Sequence, residues 1–245
     1  MFTPIASGQT DIKEIKPAGI EPLNLSSDEA ARFEKTLQMA IAIFDKMKNG
    51  TKFDDLSQEE QKIVQQVDEK ENYWDVLGNG CSWYCGGGPE GVTASSELKP
   101  QGTNSYEGSK AHDLSYQTAW VEGAAGYGTG EFLTYKFSAA SPRITDIIVV
   151  NGYVKSEKSY LENSRVKKLK MYLNETPIAI LHLADIRSNQ TFRFGPIGHG
   201  ERENFESLKL RQDWTLKFEI LEVYEGSKYD DVAITEIYFD GVDVH

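Results

Sequence analysis

The chain has 245 residues, enough to bury a sizeable core in one large domain or in a domain with an appendage. It carries 38 acidic and 26 basic side chains, which give a formal net charge of −12 at pH 7. Such a surface lacks the basic face that nucleic acid or an anionic membrane requires, so neither is expected as a partner. No apolar run reaches the roughly 20 residues of a membrane helix, and the first residues lack a signal-peptide pattern. We therefore expect no membrane insertion, and a protein that is either cytosolic or the mature form of an exported one.

The first 75 residues are expected to contain helices rather than a packed sheet. Residues 1–24 mix Gly, Pro, Ser and Thr without periodicity, so we interpret them as an extended lead-in. Two capping boxes of the form S-x-x-E begin at Ser26 and Ser57, and apolar residues follow each box at helical spacing. Residues 25–75 are therefore predicted to form a helical hairpin. Its apolar stripes pack on each other or on the following domain, and the alternative is that they dock a partner protein.

Residues 76–245 show a different pattern, in which glycine and aromatic residues increase and apolar residues recur with a period of two. Residues 132–137 and 214–220 alternate as strands do, and we interpret Leu208 and Leu210 as part of another strand. About eight or nine short strands, separated by turn residues and without helical crossovers, indicate an antiparallel sandwich or jelly roll. The fold class predicted for the whole chain is therefore mainly β, with an N-terminal helical hairpin.

The chain contains only two cysteines, Cys81 and Cys85. A single Cys-x-x-x-Cys pair is at best half of a zinc site, and the Cys-x-x-Cys motif of redox enzymes is missing. The pair is interpreted as a short-loop disulfide or as two buried thiols, with a reactive thiol pair as the third alternative. A disulfide would imply export.

Oxygen-bearing side chains are concentrated in one short loop, residues 111–118. Asp113, Ser115 and Thr118 lie within six positions of one another, directly before the apolar segment that begins at Trp120. Loops with this much polar chemistry between strands often hold an ion or a ligand. The alternative is a polar loop whose backbone satisfies its own side chains, as in an Asx-turn.

This loop and several later motifs resemble a known family. The sequence KAHDLSYQTAW (residues 110–120) resembles the A-x-D-x-x-x-x-T-x-W loop of galactose-binding-like jelly rolls, which include discoidin (F5/8 type C) domains and many carbohydrate-binding modules. DVAITEI (residues 231–237) resembles their closing strand. The resemblance is closest to the NADase-type glycan-binding domain and covers roughly residues 78–243. It rests further on WVEGAAGYGTGE (120–131), NGYVKS (151–156), NSRVK (163–167) and VYEGSKYDD (223–231).

The resemblance implies a structural calcium ion that joins the first loop of the jelly roll to its last strand. Calcium takes six to eight oxygen ligands, which carboxylates, hydroxyls and backbone carbonyls supply. Related loops often carry more acidic residues than this one. The expected ligands are Ala111, Asp113, Ser115, Thr118 and Glu236.

The resemblance also implies glycan recognition, which requires flat aromatic rings together with polar side chains that reach sugar hydroxyls. Aromatic residues on loops and polar residues at the start of a strand are the candidates, whereas Trp120 and Trp214 are expected in the core. For each loop aromatic, packing beneath the loop is the alternative to stacking on a sugar. The candidate ligand-binding residues are Trp83, Tyr84, Tyr127, Asn163, Arg165 and Tyr229.

No set of residues in the sequence forms a nucleophile with its base. The histidines are scattered, and the glycine-flanked serine of hydrolases is missing. His199, in Gly198-His199-Gly200, is the one candidate general base, and His182 is interpreted as a core residue. The family name does not transfer NAD hydrolysis, because the enzyme domain of those proteins is a separate unit.

Three hypotheses for function follow from the sequence. The first is a non-catalytic glycan-binding module that recognises a glycan or another cell-surface ligand. The second is a docking or adhesion module of the same fold, with the helical hairpin as the contact surface for a protein partner. The third is a small hydrolase that acts through His199. The resemblance implies an exported bacterial protein, extracellular or periplasmic, and a cytoplasmic location stays open.

Overall fold

The computed structural model describes residues 12–68 and 70–244, and within them the chain forms eleven β-strands and four α-helices. Residues 1–11, 69 and 245, which belong to the predicted lead-in, hairpin and jelly roll, lie outside the described residues. The helices are α1 (Ser27–Lys48), α2 (Gln58–Asp68), α3 (Glu157–Glu162) and α4 (Phe205–Lys209). The strands are β1 (Lys13–Ile15), β2 (Gly19–Pro22), β3 (Gly91–Ala94), β4 (Trp120–Val121), β5 (Phe132–Phe137), β6 (Ile144–Asn151), β7 (Ser164–Leu173), β8 (Thr176–His182), β9 (Ser188–Ile197), β10 (Trp214–Tyr224) and β11 (Val232–Gly241).

The strands form a β-sandwich whose two layers are joined through β11. Hydrogen bonds connect the strands in the order β2-β9-β6-β11-β7-β10-β5-β3, with β8 on β7, β1 on β8 and β4 on β11. The start of β11 pairs in parallel with the start of β7, and its later residues pair antiparallel with β6. The other parallel pair is β1 with β8. The fold is therefore mainly β with an N-terminal helical hairpin, as the sequence predicts.

The core of the sandwich consists of the inward-facing residues of the long strands. Along β10, Trp214, Leu216, Phe218 and Ile220 are buried at alternate positions, as the period of two requires. The rings of Trp214 and Phe137 stack with centroids 4.2 Å apart. Both Trp120 and Trp214 are buried, which confirms their predicted place in the core.

The helical hairpin has a small core of its own. Ile43, Leu56 and Val64 form a buried cluster between α1 and α2. At the start of α2 the Ser57 hydroxyl and the Glu60 carboxylate satisfy each other's backbone amides, at 3.3 and 3.0 Å, so the predicted capping box is present. At the start of α1 only half of the box forms: the amide of Ser26 donates to the Tyr73 hydroxyl at 3.0 Å rather than to a glutamate.

The structure differs from the sequence prediction in two segments. Residues 13–15 and 19–22, predicted as part of an extended lead-in before the helical hairpin, pair with β8 and β9 and so belong to the sandwich. The predicted strand at Leu208 and Leu210 is wrong, because these residues belong to the short helix α4 and the turn that ends it. Leu208 is buried and Leu210 is 88% exposed, so the two do not share a face. No helix in the described part of the chain has the length and apolar content needed to span a membrane.

Candidate functional site

The polar loop of residues 111–118, called here the carboxylate loop, lies against the middle of β11. Leu114 adopts a left-handed backbone conformation (φ 57°), which turns the chain sharply after Asp113. The Thr118 hydroxyl lies 2.7 and 2.8 Å from the two oxygens of the Asp113 carboxylate. The turn and this contact place the carboxylate of Asp113 next to Glu236.

Glu236 is fully buried, and only one of its carboxylate oxygens has a hydrogen-bond partner. Its Oε1 accepts from the Ser115 amide at 2.9 Å, whereas Oε2 is buried without a partner. Burial raises the pKa of Glu236 well above its usual value, and the negative charge of Asp113 raises it further. Asp113 is exposed and already lies 3.4 Å from the Lys110 ammonium group, so it is the buried carboxyl group of Glu236 that needs a proton or a cation to offset its charge.

These donors fit a cation that prefers oxygen ligands. The structure brings together Asp113, Thr118 and Glu236 from the predicted ligand set, and the Oε2 atom of Glu236 is buried without a hydrogen-bond partner. Ser115 contributes its amide to Glu236, and the Ala111 carbonyl already accepts from the Tyr135 hydroxyl at 3.0 Å, with one lone pair left. Across residues 12–68 and 70–244 there is no group of three or more His, Cys, Asp or Glu side chains placed for a metal.

A second site lies at one end of the sandwich, where several loops converge. The segments that follow β3 and β6 meet the segments that precede β7 and β11, and they enclose a cleft of about 260 Å³. We call it the loop-end cleft. Its lining includes two apolar residues, Leu98 and Val121, and is otherwise polar and aromatic: Gln101, Asn104, Tyr106, Tyr153, Lys155, Ser159, Glu162, Asn163, Tyr229 and Asp231.

Three tyrosines give the loop-end cleft its aromatic character. Tyr106 and Tyr153 are each only 7% exposed and form part of its wall, whereas Tyr229 is 40% exposed. The ammonium group of Lys155 lies 4.5 Å from the centre of the Tyr153 ring, and that of Lys228 lies 4.7 Å from the Tyr229 ring. The cleft therefore offers one accessible ring, that of Tyr229, and two largely buried tyrosines in its wall.

Carboxylates outnumber cations in the lining of the loop-end cleft. The lining contains the carboxylates of Glu162 and Asp231 and one cation, Lys155, and the ammonium group of Lys228, just outside the lining, lies 3.9 Å from Glu162. Burial raises the pKa of Asp231, and the neighbouring Asp230 carboxylate adds to this effect. A ligand that brought a further negative charge would therefore enter an unfavourable environment.

Arg165 supports the cleft from behind and does not face it. Its guanidinium binds both oxygens of Asp185, at 2.9 and 2.8 Å, and also donates to the carbonyls of Asn163 and Glu225. Arg165 is 6% exposed. This placement argues for a positioning role, because the two carbonyls belong to segments that flank the cleft. Asn163 does line the cleft, and its side-chain amide donates to the Ser159 carbonyl at 2.8 Å.

Trp83 and Tyr84 lie elsewhere, on a 3-10 turn that packs over the face of the β9-β6-β11 layer. Trp83 is 2% exposed and its indole donates to the Arg143 carbonyl at 3.2 Å, so its ring is not available for stacking. The Tyr84 hydroxyl accepts from the Phe239 amide at 2.9 Å, and burial raises its pKa. Both residues line a groove of about 630 Å³ on this layer, which we call the sheet-face groove.

Tyr127, on the glycine-rich loop, is 37% exposed and lies near the carboxylates of Glu225 and Asp230, outside the lining of the loop-end cleft. The loop needs glycine at position 128, because φ is +59° there and a Cβ would lie 2.6 Å from Glu122. The structure thus places Asn163 and Tyr229 in one cleft and the other four predicted ligand-binding residues outside it.

The candidate catalytic histidine, His199, contacts a backbone carbonyl. His199 Nε2 lies 2.9 Å from the Gln212 carbonyl, and among the described residues no carboxylate or nucleophile is paired with it. His182 is not a core residue, since its Nε2 lies 2.8 Å from the Glu14 carboxylate at the surface.

Sequence reasoning missed Tyr106, Tyr153 and Lys155. The last two fall in the N-G-Y-x-K-S motif at 151–156, so the motif itself was a signal for them. Tyr106 had no such signal, because it lies in an irregular segment and meets the other two only in the folded chain.

Comparison with known proteins places these features in a family context. A model of the NAD glycohydrolase translocation F5/8 type C domain matches residues 83–240. This match confirms the resemblance to a discoidin-like, NADase-associated branch of the galactose-binding-like jelly rolls. No curated protein matches the chain.

Several solved structures are similar at low sequence identity. The NAD+-glycohydrolase translocation domain of Streptococcus pyogenes is 27% identical, with 51% of this chain and 98% of that one covered and a TM-score of 0.33. A family 32 carbohydrate-binding module of Clostridium perfringens, in complex with GalNAc-β-1,3-galactose, is 16% identical over 62% of this chain and 94% of that one, with a TM-score of 0.43. The family 32 module of Streptococcus pneumoniae EndoD is 12% identical over 62% and 97%, with a TM-score of 0.38.

Proposed function

The chain belongs to the family of NAD glycohydrolase translocation F5/8 type C domains, and from this premise we propose that it is a non-catalytic glycan-binding module. The observation that carries the proposal is the loop-end cleft, which combines an accessible tyrosine with amide, hydroxyl and carboxylate groups. A sugar presents an apolar face and a rim of hydroxyls. Tyr229 is suited to the face, and Asn104, Asn163 and Asp231 are suited to the hydroxyls. We place the module in an exported, extracellular or periplasmic protein.

A glycan array run on the full chain, with an NAD hydrolysis assay alongside, tests the proposal. We expect binding without turnover. Tyr229→Ala should weaken binding about tenfold, the equivalent of roughly 1.4 kcal/mol, because the accessible ring is lost. Tyr153→Phe should have a smaller effect, since it removes only a hydroxyl from the wall.

Phe205→Ala is the matched control, because that ring is 50% exposed on α4, beyond the opposite end of β10. Its binding should equal that of the natural protein. Turnover of NAD, or equal binding by the Tyr229 and Phe205 variants, would contradict the proposed function or the proposed site.

The acidic lining of the cleft supports neutral rather than acidic glycans as ligands. We expect sialylated or sulfated glycans to bind at least several-fold more weakly than their neutral counterparts at about 0.05 M salt, where charge repulsion is little screened. Asp231→Asn should reduce this difference, because it removes one of the two cleft carboxylates. Asp54→Asn, on the helical hairpin, is the control of equal charge change. A preference for acidic glycans that persists in both variants would contradict this selectivity.

We further propose that the carboxylate loop binds calcium in a structural role. Asp113 and Glu236 would hold the ion together with the Thr118 hydroxyl and the backbone carbonyls of the loop, among which we include Ala111 and Ser115. The ion would supply positive charge between the exposed carboxylate of Asp113 and the buried carboxyl group of Glu236, and in this way it would join the carboxylate loop to β11. The support is the unpartnered Oε2 of Glu236.

Docking of a partner protein through the helical hairpin is the second candidate function. Met39, Ile41 and Phe44 on α1 are 43%, 46% and 38% exposed, which is unusual for large apolar side chains on one helix. An array without any bound glycan would favour this function. In that case Phe44→Asp should abolish the partner interaction and leave the melting temperature of the sandwich unchanged.

A further inference from the structure

The two cysteines of the chain lie side by side at the rim of the sheet-face groove. Cys81 Sγ and Cys85 Sγ are 2.9 Å apart, and both residues are exposed to solvent. A disulfide bond measures about 2.05 Å, so the sulfurs need to approach by only about 0.9 Å to bond. Because both thiols are exposed, a small oxidant can reach them. Because they are so close to each other, the geometry favours a disulfide within the chain over a disulfide between chains.

The segment between the cysteines is held firmly, which keeps the sulfurs in place. Trp83 is buried in the core and its indole donates to the Arg143 carbonyl, while the Tyr84 hydroxyl accepts from the Phe239 amide. Directly after Cys85 the backbone of Gly86 packs so tightly that a Cβ would lie 2.7 Å from Val244. The fold therefore holds the two thiols together before any bond forms, which raises their effective concentration.

The two thiols are not equivalent. The Ser82 amide donates to Cys85 Sγ at 3.4 Å, and the capping arrangement of the turn directs this donor at Cys85. The contact with Cys81 and this amide lower the pKa of Cys85, whereas the pKa of Cys81 is raised. Because the Ser82 amide stabilises a thiolate at Cys85, we expect Cys85 to be the attacking thiol.

We propose that Cys81 and Cys85 form a reversible redox pair that closes to an intramolecular disulfide by exchange with a small disulfide such as oxidised glutathione. The Cys85 thiolate attacks one sulfur of the external disulfide, which forms a mixed disulfide and releases one thiolate. The Cys81 sulfur, after losing its proton, attacks Cys85 Sγ and releases the second thiolate. The two protons of the cysteines end on the two released thiols, and the external disulfide is the oxidant that is reduced.

Closure of this pair acts on the groove as well as on stability. Cys81, Ser82, Trp83 and Tyr84 form one wall of the sheet-face groove, so a covalent ring around the turn fixes that wall. The ring is small, and its effect on the unfolded chain is correspondingly modest. We expect the oxidised protein to melt about 4 °C or more above the reduced protein.

The test uses the full chain in glutathione buffers of increasing oxidised fraction, followed by alkylation, mass spectrometry and thermal melting. We expect both thiols to become protected together, in a monomer that has lost the mass of two hydrogen atoms. In the single variants the exchange should stop at the mixed disulfide with glutathione, because the second cysteine is missing. Cys81→Ser should form this mixed disulfide at Cys85 several-fold faster than Cys85→Ser forms it at Cys81. The double variant Cys81→Ser/Cys85→Ser should melt at the same temperature in every buffer.

Two outcomes would overturn the proposal. One is a pair that remains open to alkylation in fully oxidised glutathione, and the other is a disulfide that forms only between chains. Equal trapping rates in the two single variants would overturn the assignment of Cys85 as the attacking thiol.

Discussion

Glu236→Gln should abolish calcium-dependent stabilisation and should stabilise the calcium-free protein above about pH 5. In the natural chain, calcium at about 100 times its dissociation constant should raise the free energy of unfolding by about 2.7 kcal/mol, or the melting temperature by roughly 5–10 °C. Glutamine cannot supply the carboxylate oxygen that is unpartnered at Oε2 of Glu236. The measurement is a thermal melt with calcium and with a chelator.

The pH dependence follows from the raised pKa of Glu236 in the folded protein. Below the unfolded-state pKa, near 4.3, both states carry the proton and the shift has its full stabilising effect. As pH rises towards the folded-state pKa, the unfolded chain loses the proton first, so stability falls by up to about 1.4 kcal/mol per pH unit. Glutamine does not titrate, so this loss should be absent from the variant.

Glu122→Gln is the matched control for the calcium response. Glu122 is also a buried carboxylate with a raised pKa, but both of its oxygens accept backbone amides, from Ala124 and Val232. That variant should be less stable and should keep the calcium-induced shift. If calcium still raises the melting temperature of both Glu236→Gln and Asp113→Asn, the proposed calcium site is contradicted.

Arg165→Met should destabilise the protein by about 2–4 kcal/mol and should also weaken glycan binding. The substitution leaves Asp185 without its cationic partner, with only the Tyr160 hydroxyl still donating to it at 3.1 Å. It also removes the donors to the carbonyls of Asn163 and Glu225. Because these carbonyls fix the segments on either side of the loop-end cleft, the cleft should lose its shape before the sandwich unfolds. Urea unfolding gives the stability, and glycan titration well below the unfolding midpoint gives the affinity.

Arg193→Met is the control for this effect. Arg193 also pairs with an aspartate, Asp146 at 3.1 Å, but its side chain is 76% exposed, and exposed pairs contribute about 0–1 kcal/mol. Arg165→Lys should recover little of the stability and affinity that Arg165→Met loses, since lysine does not reproduce the two-point contact with Asp185. Equal losses of stability in the methionine variants at positions 165 and 193 would contradict the positioning role of Arg165.

The fold could be predicted from the sequence because local patterns and family motifs agree. The alternation along β10 and the capping box at Ser57 are both local features, and both are present in the structure. Leu208 and Leu210 show the limit of such patterns, because two leucines separated by one residue are too few to distinguish a strand from a helix. Here the side chain of Asn204 caps the short helix α4, and the helix forms. The pairing of residues 13–22 with distant strands left no local signal.

The candidate sites were predictable to a smaller extent. The association of Asp113 with Glu236 followed from the family resemblance, because 123 positions of chain separate them and no spacing rule connects them. The burial of Trp83 depends on the path of a 3-10 turn that the glycine-rich sequence around it leaves undetermined. The loop-end cleft is formed by side chains from four separate segments, so its lining is a property of the folded chain rather than of any motif.

The short strands β1 and β2 cover the edges of the two layers of the sandwich. β1 pairs with Ala179, Ile180 and Leu181 of β8, and β2 pairs with β9 along Ser188–Thr191, so one segment of ten residues covers a margin of each layer. An exposed edge strand carries unpaired backbone N–H and C=O groups, to which another chain can add by hydrogen bonding. The segment that looks least structured in the sequence therefore covers both edges with short strands, and a module cut at the family boundary near residue 83 would leave β8 and β9 as the exposed edge strands.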